Sequence, residues 1–560
     1  MRTPYTPSTV RNILFVFPRY TPSFGTFHHA YGLLGGVRAF MPPQGLLLIA
    51  AYLPESWRVR FVDENAQVAT TDDFLWADAV LVSGMHVQRA QIEDIMRRAH
   101  ACGRPVALGG PSASGCPESY PEADFLHVGE LGDATDRLIE LLDGLDGRPE
   151  RQLLLATEER LPLAAFPMPA YELISLPEYF LASVQFSSGC PYTCEFCDIP
   201  ALYGRNPRLK TPAQVIAELD RLREGGAESV YFVDDNFIAN PKAALDLLPY
   251  LVSWQKRHRY PLRIACEATL NIAKHEVLLG LMREAGFVTV FCGIETPEAE
   301  ALEAMSKAQN LRLPILEAVE TINRYGMEVV SGIIIGLDTD TCDTADRIIE
   351  FIHASRIPIL TINVLYALPK TPLWTRLEGE GRLRYEEGRD SNVDFLLPCD
   401  TVHGMWRRCV ETAYDPDALY ARYAHQQAHT FRHRLRYPVD PRRLAPRSIR
   451  RGLGIFARLF WRIGVRGDYR RPFWRMAWRM LGTGRFEQFV HSTVVSYHLI
   501  EFARECLAGR PEPSFYAPSR TLVPALDPDA NGHALELLRP APLTRPRPLA
   551  GALGLADPPR

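Results

Sequence analysis

Three cysteines, Cys190, Cys194 and Cys197, stand in the run SSGCPYTCEFCDIP with the spacing Cys-x3-Cys-x2-Cys, directly after a strand-like segment. Thiolates grouped so closely suit zinc or iron–sulfur clusters. A structural zinc site wants four ligands, and no fourth Cys or His follows at a zinc-like interval. A ferredoxin-type cluster also takes four cysteines. Three thiolates on a four-iron cube leave one iron open, and an open iron can chelate a small molecule. The competing reading is three ordinary loop cysteines; the strand before them and the barrel-like pattern after them favour the cluster.

Other residues with chemical potential stand at the ends of strand-like runs. Asp234, Asp235 and Asn236 end YFVDDNF, Glu267 ends a run in ACEATLN, and Glu295 lies in GIETP. Buried acids need partners, which here would be ligand hydroxyl or amine groups, or a salt bridge to a barrel arginine. Gly332 and Gly336 in SGIIIGLD permit close backbone approach, or mark a strand followed by a turn. Cys266 and Cys292 read as small buried hydrophobes. Nearer the amino terminus, Ser83-Gly84, Gly109-Gly110 and Gly129-Glu130 lie just past strand ends, with His86 close behind.

The elements that must position these residues fall into three groups. Residues 10–150 alternate between strands (12–17, 58–63, 78–84, 105–110, 125–130) and helices (45–53, 92–103), the pattern of a doubly wound parallel sheet. Such folds bind ligands at the carboxyl ends of their strands. Residues 151–180 read as a proline-containing linker. A second alternating series fills 181–385, with strands at 183–187, 229–234, 262–267, 288–295, 329–336 and 359–365 and helices such as 212–224, 275–285 and 312–325. Six units of this kind predict a partial (β/α)6 barrel with its site at the carboxyl strand ends. Residues 386–510 read as mainly α-helical, and 511–560 as a proline-rich disordered tail. The fold class is therefore α/β, followed by a helical region.

Composition narrows the function classes. An apolar fraction of 47% supports sizeable cores, and a net charge of −4 gives no overall pull toward nucleic acid. Eleven scattered cysteines argue for a reducing cytoplasm rather than a disulfide framework. No targeting segment and no uninterrupted membrane-spanning run stand out.

The cysteine spacing is that of the radical S-adenosylmethionine (SAM) superfamily, and a doubly wound domain ahead of the barrel resembles the B12-dependent radical SAM methyltransferase family. MPPQGLLLIAAYLP, GCPYTCEFCDIPALYGRNPRLKTPAQ, VYFVDDNFIAN, FCGIETP and ALPKTPLW carry that likeness. TPSFGTF, VRAFMPPQGLL, HVGELGDATD, ACEATLNIAK and DSNVDFLLP resemble its hopanoid C-2 methylating members in particular, over about residues 10–510. The resemblance implies a [4Fe–4S] cluster on the three cysteines, SAM on the open iron, and cobalamin in the first domain. It places Phe196, Asp234, Asp235, Asn236, Glu267, Glu295, Gly332 and Gly336 around SAM. It places Ser83, Gly84, His86, Gly109, Gly110, Gly129 and Glu130 around cobalamin. The Asp-x-His-x-x-Gly signature is missing; the equivalent loop reads PRYTPSFG, which argues against histidine ligation of cobalt. His86 either approaches the lower cobalt face or is an ordinary polar residue at a strand end. The implied reaction is methylation of an unactivated sp3 carbon, with radical cyclisation or oxidation of another lipid or natural product as the alternative. A ferredoxin- or flavodoxin-type donor would supply electrons.

One segment supports a lipid substrate independently. Between 441 and 490 arginines are frequent and the only acids are Asp468 and Glu487. Trp461, Trp474, Trp478, Phe456, Phe460 and Phe473 are interleaved with Arg458, Arg462, Arg466, Arg471, Arg475 and Arg479. A basic face beside aromatics suits an anionic membrane surface, so peripheral contact with the inner face of the cytoplasmic membrane is expected. A solvated arginine face over an aromatic core and RNA binding are the other readings, and no nucleic-acid partner is expected.

Overall fold

The computed structural model describes residues 5–384, 391–436, 441–482 and 484–509. The tail expected to be disordered, 511–560, lies outside the described residues.

The first domain is a six-stranded parallel sheet of β1 (Asn12–Phe17), β2 (Arg58–Asp63), β3 (Ala79–Ser83), β4 (Val106–Gly109), β5 (Phe125–Val128) and β6 (Leu153–Ala156), in the order 2-1-3-4-5-6. The reversal of order beside β1 makes the sheet doubly wound. NILFVF is apolar throughout because both faces of β1 are covered. Leu14 and Val16 enter one core with Val80, Val82 and Ile92, while Ile13, Phe15 and Phe17 enter the other with Leu46, Leu138 and Leu142. Strand β6 lies inside the stretch read from sequence as linker, so the sheet has one strand more than the five counted there. Its alternating, half-exposed LLLA carries too short a pattern to announce a strand.

The second sheet contains β7 (Ala182–Val184), β8 (Ser229–Phe232), β9 (Arg263–Glu267), β10 (Phe287–Phe291), β11 (Glu328–Ile335) and β12 (Ile359–Val364), all parallel and adjacent in chain order. Sequential parallel pairing through helical crossovers is what an incomplete β/α barrel requires. Helix Pro212–Glu224 starts where the sequence predicts, because Thr211 caps it in a reciprocal box with Gln214 and Pro212 occupies its first turn. Helix Glu276–Ala285 ends at Gly286, whose φ of 90° is left-handed.

Helices Cys399–Ala413, Pro416–His429, Pro446–Leu459, Arg470–Leu481 and Phe486–Ala508 follow. They share a continuous core with the second sheet, including Trp406, Phe431, Phe473 and Phe489. The Trp406 indole N–H donates to the Ile362 carbonyl at 2.8 Å, pinning this region to β12. No described helix is long and apolar enough to cross a membrane.

Candidate active site at the carboxyl ends of the second sheet

The cysteine loop leaves β7 and is framed by a two-residue antiparallel pair, Ser187–Ser188 with Arg208–Leu209. Gly189 opens it with φ 98°, where a Cβ would stand 2.9 Å from the Gly204 carbonyl oxygen. That close approach lets the Cys190 N–H donate to Gly204 O at 3.1 Å. The Glu195 N–H donates to Met305 O and the Leu373 N–H to Glu195 O, both at 2.9 Å, so the loop is stapled to two later segments. The three thiols are mutual neighbours, and burial raises the pKa of Cys190 and Cys197. The Gln309 amide donates to Cys194 Sγ at 3.3 Å.

The staple at Met305 delivers Lys307, which sequence reasoning missed. Its ammonium lies 2.6 Å from Glu295 Oε1 and 5.1 Å from the centre of the Phe196 ring. Burial works against the charge, but Glu295 and the thiols of Cys194 and Cys197 hold its pKa above the ordinary lysine value. Glu295 reaches this pair from a strained φ of 67°. Glycine at 293 is required for it, since a Cβ there would lie 2.3 Å from Glu295 Oε1. Glu295 is thus ion-paired with Lys307, a lysine and not the barrel arginine of the competing reading. Gly332 serves the same acid, its absent side chain leaving 3.3 Å to Glu295 Oε2.

The other residues expected around SAM have the following partners within the chain. Asp234 accepts from Phe186 N–H at 2.7 Å and Ser187 Oγ at 2.9 Å. Asp235 accepts from Gly189 N–H at 2.7 Å. Asn236 accepts from the N–H groups of Ile238 and Thr269 and donates to Thr269 Oγ1. These three residues set the cysteine loop and its neighbouring turn. Gly336 makes room for Phe395, which a Cβ would meet at 2.7 Å. Phe196 packs beside the cluster of Leu337, Leu365, Ala367 and Leu373. Glu267 accepts from Tyr231 Oη at 3.3 Å. Burial pushes Asp234 and Glu267 up to about 7 and Asp235 up to about 6. Asp235, Asp234 and Glu295 all add to the rise at Glu267, so four acids share this end of the barrel. Buried negative charge of this kind suits a cationic ligand.

At the first sheet, the small residues expected around cobalamin lie close to other parts of the chain. Cβ atoms on Gly84, Gly110 and Gly129 would meet Pro18 at 2.9 Å, Ser83 Oγ at 2.1 Å and Thr157 at 3.0 Å. These glycines accommodate the chain itself; Gly110 and Gly129 also have φ of 88° and 104°. Ser83 is the neighbour Gly110 clears, and a Cβ on Gly109 would lie at ordinary contact distance, 3.6 Å, from His127. Glu130 accepts from Ser188 Oγ at 3.1 Å, pairs with Arg160 at 3.2 Å and binds Arg208. It thereby ties the first domain to the frame of the cysteine loop. His86 faces Tyr366, their ring centres 6.5 Å apart, and burial lowers its pKa. Gly115, at the end of helix Gly110–Gly115, has open space where a Cβ would stand.

A cavity of about 1010 Å3 occupies the barrel interior. It runs from the amino ends of the strands, at Ser229, Arg263 and Val288, to Glu267, Phe291 and Thr361. Phe27, Phe40 and Phe180 line its flank, and Arg451, Phe486 and Glu487 its amino-end mouth.

The donor sets fit the implied groups. Three thiols with an amide donor and a buried ammonium beside them suit an anionic iron–sulfur cluster. At the first sheet, the open space beside Gly115 is room that a ligand at the strand ends would need. Family models match three successive segments: a B12 binding domain over 32–139, the radical SAM superfamily over 184–352 and a domain of unknown function over 371–511. The fold is similar to that of TsrM from Kitasatospora setae, a radical S-adenosylmethionine methyltransferase solved with cobalamin and a [4Fe–4S] cluster. That likeness has 15% identity, covers 89% of this chain and 100% of the other, and has a TM-score of 0.55. It is also similar to OxsB, a cobalamin-dependent SAM radical enzyme, at 14% identity, covering 89% and 80%, with a TM-score of 0.52. The class is that of cobalamin-dependent radical SAM enzymes, with SAM, a [4Fe–4S] cluster and cobalamin as cofactors.

Full-length relatives narrow the class. The chain is 60% identical over 510 residues to the hopanoid C-2 methylase of Rhodopseudomonas palustris (strain TIE-1), covering 91% of this chain and 97% of that one. It is 35% identical to an uncharacterised methyltransferase of Synechocystis sp., covering 87% and 91%. The chain belongs to the hopanoid C-2 methylase family.

Proposed function

We propose that this protein transfers a methyl group to C-2 of the A ring of a hopanoid, using radical SAM chemistry and cobalamin. The observation that carries the reading is the end-to-end likeness to a hopanoid C-2 methylase. The large barrel cavity, apolar along its flank, supports it. The target carbon has neither an acidic proton nor a lone pair, so acid–base catalysis cannot activate it. When bound, the cluster with SAM supplies a hydrogen-abstracting radical and cobalamin supplies the methyl group.

The protein's own part is to hold, orient and exclude water. Cys190, Cys194 and Cys197 hold the cluster, with Gln309 donating toward Cys194 and Lys307 compensating the cluster's negative charge. Asp234, Asp235 and Asn236 fix the loop that carries those thiols. Glu267 presents a carboxyl at the inner end of the cavity, where a sulfonium or ammonium group would favour its ionised form. Glu130, through Ser188 and Arg208, keeps the first domain in register with the cysteine loop. A ferredoxin- or flavodoxin-type donor provides the electron.

The protein takes its lipid from a membrane surface. Ile449, Leu453, Trp461, Val465, Trp478 and Phe486 are all exposed among the arginines of the segment 441–490. Phe456, Phe460, Phe473 and Trp474 instead pack inward about Phe489, so four of the six aromatics expected on that face belong to the core. Exposed apolar residues among cations suit an anionic bilayer.

The reaction is tested by expression in a strain that makes only unmethylated hopanoids, grown with methyl-labelled methionine. Labelled 2-methylhopanoid is expected. Its absence, with cluster and cobalamin both loaded, would refute the substrate, and label in a different lipid would redirect it.

A further inference from the structure

The barrel cavity opens at the end opposite the cysteine loop. Along β9 the inward residues are Arg263, Ala265 and Glu267, which run from a charged mouth through an apolar middle to the acid group. Four residue steps of a strand span about 13 Å, the reach of a fused polycyclic skeleton laid lengthwise. Ala265, Phe291, Val330 and Ile359 line the bore beyond the mouth. A volume of about 1010 Å3 lies at the top of the range for small-molecule sites.

The mouth has a different chemistry. Arg432, Arg436, Arg451 and Arg485 surround it along with Arg263. Two ion pairs cross it from the barrel to the carboxyl-terminal helices. Arg263 donates to Glu487 from Nε at 2.7 Å and from Nη2 at 2.8 Å, and Arg451 lies 3.0 Å from Glu228. Glu487 and Glu228 are 47% and 62% exposed, so solvent reaches the acid of each pair, although Arg263 itself is only 16% exposed. Phe486, which lines the mouth, is itself 54% exposed, and Ile449 and Leu453 flank Arg451 on its helix with large exposure. The apolar surface therefore continues from the outside into the bore.

We infer that the lipid enters through this amino-end mouth and binds end-on, its ring end under Glu267 and its polar end in the arginine collar. The inference rests on the lipid substrate proposed above. It separates two routes: the cofactors occupy the carboxyl-end face, and the lipid arrives from the opposite side, where the exposed apolar residues meet the membrane. The Arg263–Glu487 and Arg451–Glu228 pairs form the gate. Oxygen-rich side chains on the lipid would exchange with the glutamates for the arginines once the rings are seated.

The route is tested with Ala265→Trp, which plugs the bore, and Ser229→Trp, which narrows the mouth, against Val277→Trp on an exposed helix position as a control. Each protein is reconstituted with cluster and cobalamin, and absorbance confirms equal loading. An unmethylated hopanoid is supplied in detergent micelles, and its retention is read by native mass spectrometry alongside methyl transfer. Both plug variants should retain the lipid at least about tenfold less than wild type and lose methylation in proportion, while the control behaves as wild type. Arg263→Gln with Arg436→Gln should raise KM several-fold for a hopanoid with a polar side chain and leave one without it unchanged. Undiminished lipid retention and methylation in both plug variants would overturn the route while leaving the reaction standing. Retention by wild type but not by the plugs, without methylation by wild type, would support the route and overturn the reaction.

Discussion

Lys307→Met removes a buried cation and leaves Glu295 charged and alone. The two side chains are 8% and 11% exposed, so little solvent is present to screen the loss. Breaking a buried pair from one side costs about 3–5 kcal/mol. In a domain of this size each kcal/mol lowers Tm by about 2–4 °C, so the barrel transition should fall by roughly 6–20 °C. Adding Glu295→Gln removes the stranded charge, and the double variant should recover at least half of that loss. The same ammonium sits beside Cys194 and Cys197. Both variants should therefore hold less iron after anaerobic reconstitution and show a lower cluster potential than wild type, since positive charge nearby favours the reduced cluster. Differential scanning calorimetry of cluster-free protein gives the stability, and iron analysis with potentiometry gives the rest. A single variant no less stable than the double, or a cluster potential unchanged in both, would refute the reasoning.

Replacing Cys190, Cys194 or Cys197 with Ala should abolish cluster assembly and 5′-deoxyadenosine production, while Cys266→Ala and Cys292→Ala, both wholly buried in the barrel core, should keep iron content and lose only packing stability. Burial raises Glu267 from 4.5 to about 7, so the folded chain keeps a proton that the unfolded chain releases. Stability from this group is present below about pH 4.5 and lost as pH rises through about 7; the Tm of cluster-free Glu267→Gln should gain on wild type across that window, and a gap independent of pH would contradict the assignment. Gly110→Ala should destabilise the first domain by at least about 1 kcal/mol, because alanine is disfavoured at positive φ and its Cβ would strike Ser83 Oγ; a melting curve decides it. Glu130→Ala removes the partner of Arg160, Arg208 and Ser188 and should reduce cluster loading more than it lowers Tm, by loosening the frame of the cysteine loop.

The local chemistry was legible in the chain. Cys-x3-Cys-x2-Cys is a spacing within one loop, and helix Pro212–Glu224 follows from a cap and a proline a few residues apart. The strands of both sheets could be counted because continuous apolar runs mark buried parallel strands, with β6 lost for want of such a run. Cys266 and Cys292 read correctly as core. Tertiary structure decided what stands opposite each residue. Gln309 meets Cys194 across 115 positions and Arg376 meets Glu195 across 181, separations that no periodicity encodes. Gly84, Gly110, Gly129 and Gly336 were legible as places where something comes close, but only the folded chain shows that Pro18, Ser83, Thr157 and Phe395 are what comes. Asp234 and Glu130 were legible as acids at strand ends, yet their hydrogen bonds go to the cysteine loop and its frame because packing brings those donors nearest. The mouth of the barrel belongs wholly to this second kind of information. It is assembled from strand starts and from helices more than two hundred residues later, as Arg263 and Glu487 illustrate with a separation of 224. Short-range geometry is set by the covalent chain and its dihedral preferences, whereas a partner across the fold is set by how whole elements bury their apolar faces.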